Sequence, residues 1–166
     1  MATNYLAGPT LRTSWLCDGR YVDKDCVITL PEIAMQTAEF KAMGTIEVPV
    51  PLTDAIETTV AQNGLKKEYF KAFGLESKTH EFRASQQVTV DGRVKTVGIK
   101  AFVKGIVNSI PGATLEQGET VDGDISIATF RYQLFVDGEE VILIDKLNNI
   151  FKIYGKDYAE AMNSYI

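Results

Sequence analysis

The chain has 166 residues, 45% hydrophobic and 23% charged, with a net charge of −5, which suits one globular domain that can bury a core without staples. No apolar run approaches the roughly 18 residues of a membrane span. The acidic balance argues against a phosphate-binding surface, because tight nucleic-acid binding is built from clustered Lys and Arg that release counterions.

Taken in chain order, Met1-Ala2-Thr3-Asn4-Tyr5 shows no basic segment leading into an apolar one, so no signal peptide and a cytosolic protein are expected. Trp15-Leu16 suggests an early anchoring strand; a platform for stacking bases would want more than Arg12 and Arg20 nearby. Cys17 and Cys26 frame CDGRYVDKDC. With Asp18-Gly19 as a hairpin turn, Cys17 faces Arg20 and the thiols fall on different rungs, so no disulfide is expected. Two Cys and the single His80 do not make an ordinary zinc site either.

Cys26 to Leu30, Met35 to Phe40 and Ile56 to Gln62 read as strands. Between the last two lies KAMGTIEVPVPLTD, Lys41 to Asp54, in which Gly44, Pro49 and Pro51 interrupt apolar residues. Prolines deny a central strand its ladder donors, so a long exposed excursion is expected. Met43, Ile46, Val48, Val50 and Leu52 on such an excursion would be costly in a monomer, which favours a partner surface over a loop folded onto its own core.

LKKEYFKAF predicts the one packed helix, with Asn63 as cap, Leu65, Tyr69 and Phe73 on one stripe and Gly74 at its C-terminal end. His80 then precedes a strand and reads as a surface or rim residue, since a general base needs a visible nucleophile. In Glu81 to Val90 the period is two: Phe82, Ala84, Val88 and Val90 take one face, and Glu81, Arg83, Ser85, Gln87 and Thr89 the other. Thr96 to Asn108 alternates similarly. Asp91-Gly92, Asp122-Gly123 and Asp137-Gly138 repeat the dipeptide that favours two-residue hairpin turns.

Val141-Ile142-Leu143-Ile144 has no polar face, and Ile150 to Tyr154 follows as another apolar tract. Such a strand wants cover on both sides, from a sandwich core or from a neighbouring subunit. Asp157 and Glu160 are placed to cap a short terminal helix up to Tyr165. The whole predicts a mainly β chain, a largely antiparallel sandwich or barrel with one packed helix and a short C-terminal one.

Chemistry is scarce. No nucleophile elbow, phosphate loop or dinucleotide fingerprint occurs, and Asp137, Glu139, Glu140 and Asp145 read as a solvated hairpin end. No catalytic, cofactor or metal residue is assigned, which leaves binding or assembly.

Two stretches carry a resemblance. WLCDGRYVDKDCVITLPEIAMQTAEFKAMG, with Thr29-Leu30-Pro31-Glu32-Ile33 and Glu39-Phe40-Lys41-Ala42-Met43-Gly44, resembles the N-terminal pattern of the major tail tube proteins of contractile-tailed phages and phage-tail-like (R-type) bacteriocins. Tyr132 to Val141, Ile144-Asp145, Asn148 and Tyr154-Gly155-Lys156-Asp157 resemble that family's closing strands and terminal helix start. The likeness runs over about residues 13 to 166. It implies a non-enzymatic tail tube domain, folded as hexameric rings that stack head to tail inside a contractile sheath, with each subunit giving four strands to one inner barrel.

Under that resemblance the partners are the chain itself, sheath, baseplate and tail terminator proteins, with DNA only as passing cargo. Twenty-four strands at about 4.8 Å spacing and about 40° tilt leave a lumen near 40 Å. The segment 41–54 becomes an inter-ring arm. Glu57, Thr59, Glu81, Arg83, Ser85 and Gln87 are candidate lumen residues, because a water-filled barrel wants polar side chains inside. Val141, Ile142, Leu143 and Ile144 become a candidate subunit interface. Six copies at −5 give −30 per ring, which would repel DNA phosphates if part of it lined the lumen. The open alternatives are the tube of a type VI-like secretion system and a monomeric small-ligand-binding β-barrel with the excursion as a lid.

Overall fold

The computed structural model describes residues 4–166, so the reading of the amino terminus as leaderless falls largely outside the described residues. The first strand, β1 (Tyr5–Cys17), turns through Asp18-Gly19 into β2 (Arg20–Lys24), and a two-residue β3 (Ile28–Thr29) follows. Then come β4 (Met35–Ala42), β5 (Gly44–Thr53), β6 (Ile56–Ala61), the helix α1 (Lys67–Ala72), and the long pair β7 (Lys78–Val90) and β8 (Arg93–Ser109). The chain closes with β9 (Asp124–Val136), β10 (Glu139–Asp145), β11 (Ile150–Ile153), β12 (Lys156–Asp157) and α2 (Glu160–Asn163). The fold is mainly β, as the alternation predicted.

Ten strands make one antiparallel sheet in the order β12-β11-β10-β9-β8-β7-β1-β2, and β6 joins its side by pairing with both β9 and β3. β9 is shared lengthwise: Asp124–Thr129 pair with β6, and Arg131–Val136 pair with β10. Three of the expected hairpin dipeptides hold both residues at positive φ, from Asp18 at 49° and Gly19 at 81° to Asp137 at 52° and Gly138 at 80°. That conformation matches the twist of the strands it joins. Asp122-Gly123 is different: it ends the irregular segment 110–123, where the Gln62 N–H donates to Gly123 O, because the strands on either side do not meet in a two-residue turn.

The register explains the core. Residues opposite one another in antiparallel strands share a face. Cys17, His80, Val103, Tyr132, Ile144 and Phe151 form one such rung, while Trp15, Phe82, Ala101, Leu134, Ile142 and Ile153 form the next-but-one. All lie on the inward face and belong to or pack against one apolar cluster, which Tyr69 and Ala72 of α1 complete, although His80 contributes a polar ring to it. His80 is therefore a core residue at 0% exposure and not a rim histidine. An inward position on β7 leaves it no route to solvent.

Three local expectations need correction. α1 is shorter than the pattern suggested: Lys66 precedes it without a side-chain cap, and Asn63 instead donates its backbone N–H to Tyr69 Oη at 3.1 Å. The stripe of Leu65, Tyr69 and Phe73 buries only Tyr69, because Phe73 is already extended and bridges to Val107. Asp157 does not start the terminal helix; it pairs with Lys152 in β12 and accepts the Ala159 N–H at 2.9 Å, so α2 begins three residues later.

Cys17 and Cys26 are both free and buried, and Cys17 stands opposite Arg20. Burial raises both thiol pKa values above their ordinary range.

Candidate assembly surfaces

The segment 41–54 is largely exposed, and it is regular. Together with Met35–Phe40 it makes a two-stranded hairpin, β4-β5, separate from the main sheet, paired from Met35↔Thr53 to Ala42↔Gly44. The strand predicted at Met35–Phe40 is thus the first limb of the arm. Pro49 and Pro51 are accommodated because a ribbon two strands wide has only edge strands, where a missing N–H costs no central ladder bond. The tip is tight, with Met43 fully exposed and Gly44 at φ 115°.

Register sorts the arm into two faces. Ala38 with Val48 and Phe40 with Ile46 lie on one side, while Val50 and Leu52 fall where the register shifts near the arm's base. Glu39 with Glu47 and Lys41 with Thr45 lie on the other. The apolar side is largely bare: Phe40 is 54% exposed and Ile46 50%. The body holds only the arm's base, where Lys146 Nζ donates to the carbonyls of Thr53 (3.1 Å) and Asp54, and Leu52 faces a cleft lined by Phe151, Ala159 and Met162.

The sequence-nominated polar residues do come together. Glu81↔Phe102 and Ile106↔Ala128↔Glu57 trace Glu57, Thr59, Glu81, Arg83, Ser85 and Gln87 onto one face of the sheet, opposite the core. That face is not an acidic wall. One rung across it runs Lys24, Ser14, Arg83, Lys100, Phe135, Glu140, and another places Lys104 opposite Arg131. Arg83 pairs with Glu81 at 2.6 Å. Sequence reading missed this basic rung because its members come from separate strands, aligned only by register.

Val141 to Ile144 lies within β10, between β9 and β11. Ile144 is buried and Ile142 packs on the chain's own core, so Leu143, half-buried between Gln133 and Lys152, is the outward member of the group; Val141 sits at a bulge.

A buried polar cluster fixes α1 to β2. Asp23 accepts from Lys66 Nζ at 2.7 Å, Tyr69 Oη at 2.5 Å and the Lys24 N–H at 2.8 Å. Burial, reinforced by the bond to the Asp23 carboxylate, holds the Tyr69 phenol protonated far above its ordinary range. Among the described residues no group of three or more His, Cys, Asp or Glu side chains is placed to hold a metal.

Compared with known protein families, residues 12–166 match the phage tail tube protein FII. The chain belongs to this tail tube family. Among characterised proteins it is similar to the tail tube protein of Escherichia phage P2, at 27% identity over 141 residues, which covers 80% of this chain and 81% of that one. The family match over residues 12–166 spans the arm, the long β7-β8 pair and the closing strands alike, close to the extent of the resemblance read from the sequence.

Proposed function

We propose that this chain is the repeating subunit of the inner tube of a contractile tail: one tube domain with an arm, six copies to a ring, and rings stacked head to tail as a conduit for DNA or ions across a target envelope. The role is structural, and the tube would be built in the bacterial host cytoplasm as part of a virion or bacteriocin tail. Its partners are further copies of itself, the sheath, the baseplate and the tail terminator, with DNA as passing cargo.

The observation that supports this reading best is the arm. An isolated two-stranded ribbon is marginal in water, and one with a bare apolar face lacks even the burial that would stabilise it. A neighbouring ring can supply the missing cover for Met43, Gly44, Ile46, Val48, Pro49, Val50, Pro51 and Leu52. A contact between unlike surfaces of identical subunits propagates without closing, as a tube requires. The outward face bearing Glu57, Thr59, Glu81, Arg83, Ser85 and Gln87 is the proposed lumen wall, and Leu143 with Val141 the outward part of the subunit seam.

Negative-stain electron microscopy across a concentration series, with and without preformed baseplate, tests the proposal. Rings or hollow tubes with a lumen near ~40 Å are expected. A monomer under every condition, baseplate included, would overturn it.

A further inference from the structure

The basic rung has an energetic oddity. Arg83 and Lys100 stand directly opposite one another on β7 and β8, and Lys104 and Arg131 do so on β8 and β9. Like charges at directly opposed positions destabilise a sheet. Lys24 extends the first row, held over the Tyr21 ring at 4.7 Å with Ser14 between it and Arg83. Arg12, at the rim, is taken up by Asp25 at 2.9 Å, Arg83 by Glu81, and Arg131 by Asp145 at 3.7 Å. Among the described residues Lys24 and Lys100 have no carboxylate partner. A fold that retains such a row gains if an anion covers it.

The complementary charge is on the same chain and out of reach. The stretch 110–124, which is the link from β8 to β9 with the first residue of β9, contains Glu116, Glu119, Asp122 and Asp124 and no Lys or Arg. Residues 112–120 are all exposed, and among the described residues no ion pair involves these four acids. The segment is tied down at the far end of the sheet, by Gln62 N–H to Gly123 O and Gly64 N–H to Val121 O. From Lys100 to the start of the segment after Ser109 is nine residues of strand, about 30 Å at the usual rise per residue. The row crosses the middle of β7 and β8 and the acid loop lies beyond one end of β8, so the two do not meet within one subunit and a second copy is needed to bring them together.

We infer that the acidic 110–124 segment of one copy docks on the Lys24-Arg83-Lys100 row of a second copy. The inference rests on the tube reading and adds its electrostatic register: the docked loop sets polarity, since the contact forms in only one orientation, and it neutralises the cations of a wall that must not hold phosphate.

Charge exchange tests it. Two triple variants, Lys24→Glu/Arg83→Glu/Lys100→Glu and Glu116→Lys/Glu119→Lys/Asp122→Lys, are compared with the sixfold variant that carries both sets. Each triple variant is expected to need at least about tenfold more protein to assemble, and the sixfold variant to recover to within about threefold of wild type. Because an altered row could disturb the sheet, a second measurement leaves it almost intact: Lys100→Cys mixed with Glu119→Cys under mild oxidation is expected to give a disulfide-linked pair that neither gives alone.

If wild type assembles and the triple variants assemble equally well, or the cross-link does not form, this inference fails and the tube reading stands. If wild type never assembles, both fail. Retention of duplex DNA by wild-type tubes at moderate salt, lost in the row variant, would show a bare phosphate-binding row and overturn the inference.

Discussion

Trp15 donates its indole Nε1–H to Nδ1 of His80 at 3.1 Å, with both side chains closed to solvent. The bond requires a neutral imidazole. Burial drives the His80 pKa from its ordinary 6.5 down to about 4, with nearby Lys78 adding to the shift and Asp18 opposing it. Between these values the unfolded chain binds the extra proton and the folded chain does not, so stability rises with pH there. The contribution is complete above about 6.5, declines as pH falls, and is gone below about 4. Thermal denaturation across this range should show a steeper acid loss for wild type than for His80→Leu; parallel curves would contradict the assignment.

Tyr69→Phe should remove one of three bonds to the buried Asp23 carboxylate and leave the Asn63 N–H without its acceptor. A loss of about 1–3 kcal/mol in urea denaturation is expected, with the denaturant slope unchanged. A change under about 0.5 kcal/mol would mean that Lys66 and the Lys24 amide suffice.

Where β8 pairs with β9, a Cβ on Gly105 would collide with the Ala128 carbonyl oxygen and lie 3.2 Å from Ile127 Cγ2. The nearest obstacle is backbone, which cannot rotate away. Gly105→Ala should cost at least ~1–3 kcal/mol by forcing the strands apart. A neutral outcome in chemical denaturation would refute the close approach.

For the arm the expected effect is inverted. Phe40→Asp/Ile46→Asp should leave the melting temperature of the unassembled subunit nearly unchanged, within the ~0.5 kcal/mol typical of surface substitutions, yet abolish large species in sedimentation. Normal tubes from this variant would exclude the apolar face from assembly.

Local signals are legible in this sequence and long-range ones are not. The alternation in Glu81–Val90 and Thr96–Asn108 placed Phe82, Val88, Val97, Val103 and Val107 correctly inward, because a half-buried strand writes its period into consecutive residues. The core place of His80 is not legible in sequence, since nothing adjacent announces Trp15, sixty-five positions away, as its partner. Phe73 left its helical stripe for a tertiary reason, the bridge to Val107, which overrides propensity. The arm was recognised as exceptional by its prolines, but its ribbon form depended on Met35–Phe40 folding back across a one-residue tip. Of the assembly surfaces, the arm's apolar content was visible in sequence; the basic row was not, since register alone aligns it.

The arm's strands hydrogen-bond in register only to each other, so its length is uncoupled from the core. Adding or removing one residue from each limb would move the tip by about 3.3 Å and reverse which face is apolar, whereas a change of two in each limb moves it about 7 Å and preserves the face. Any axial repeat that this arm spans is therefore adjustable in steps of about 7 Å, and divergence among related chains should accumulate there in paired insertions and deletions that leave the body's ten strands untouched.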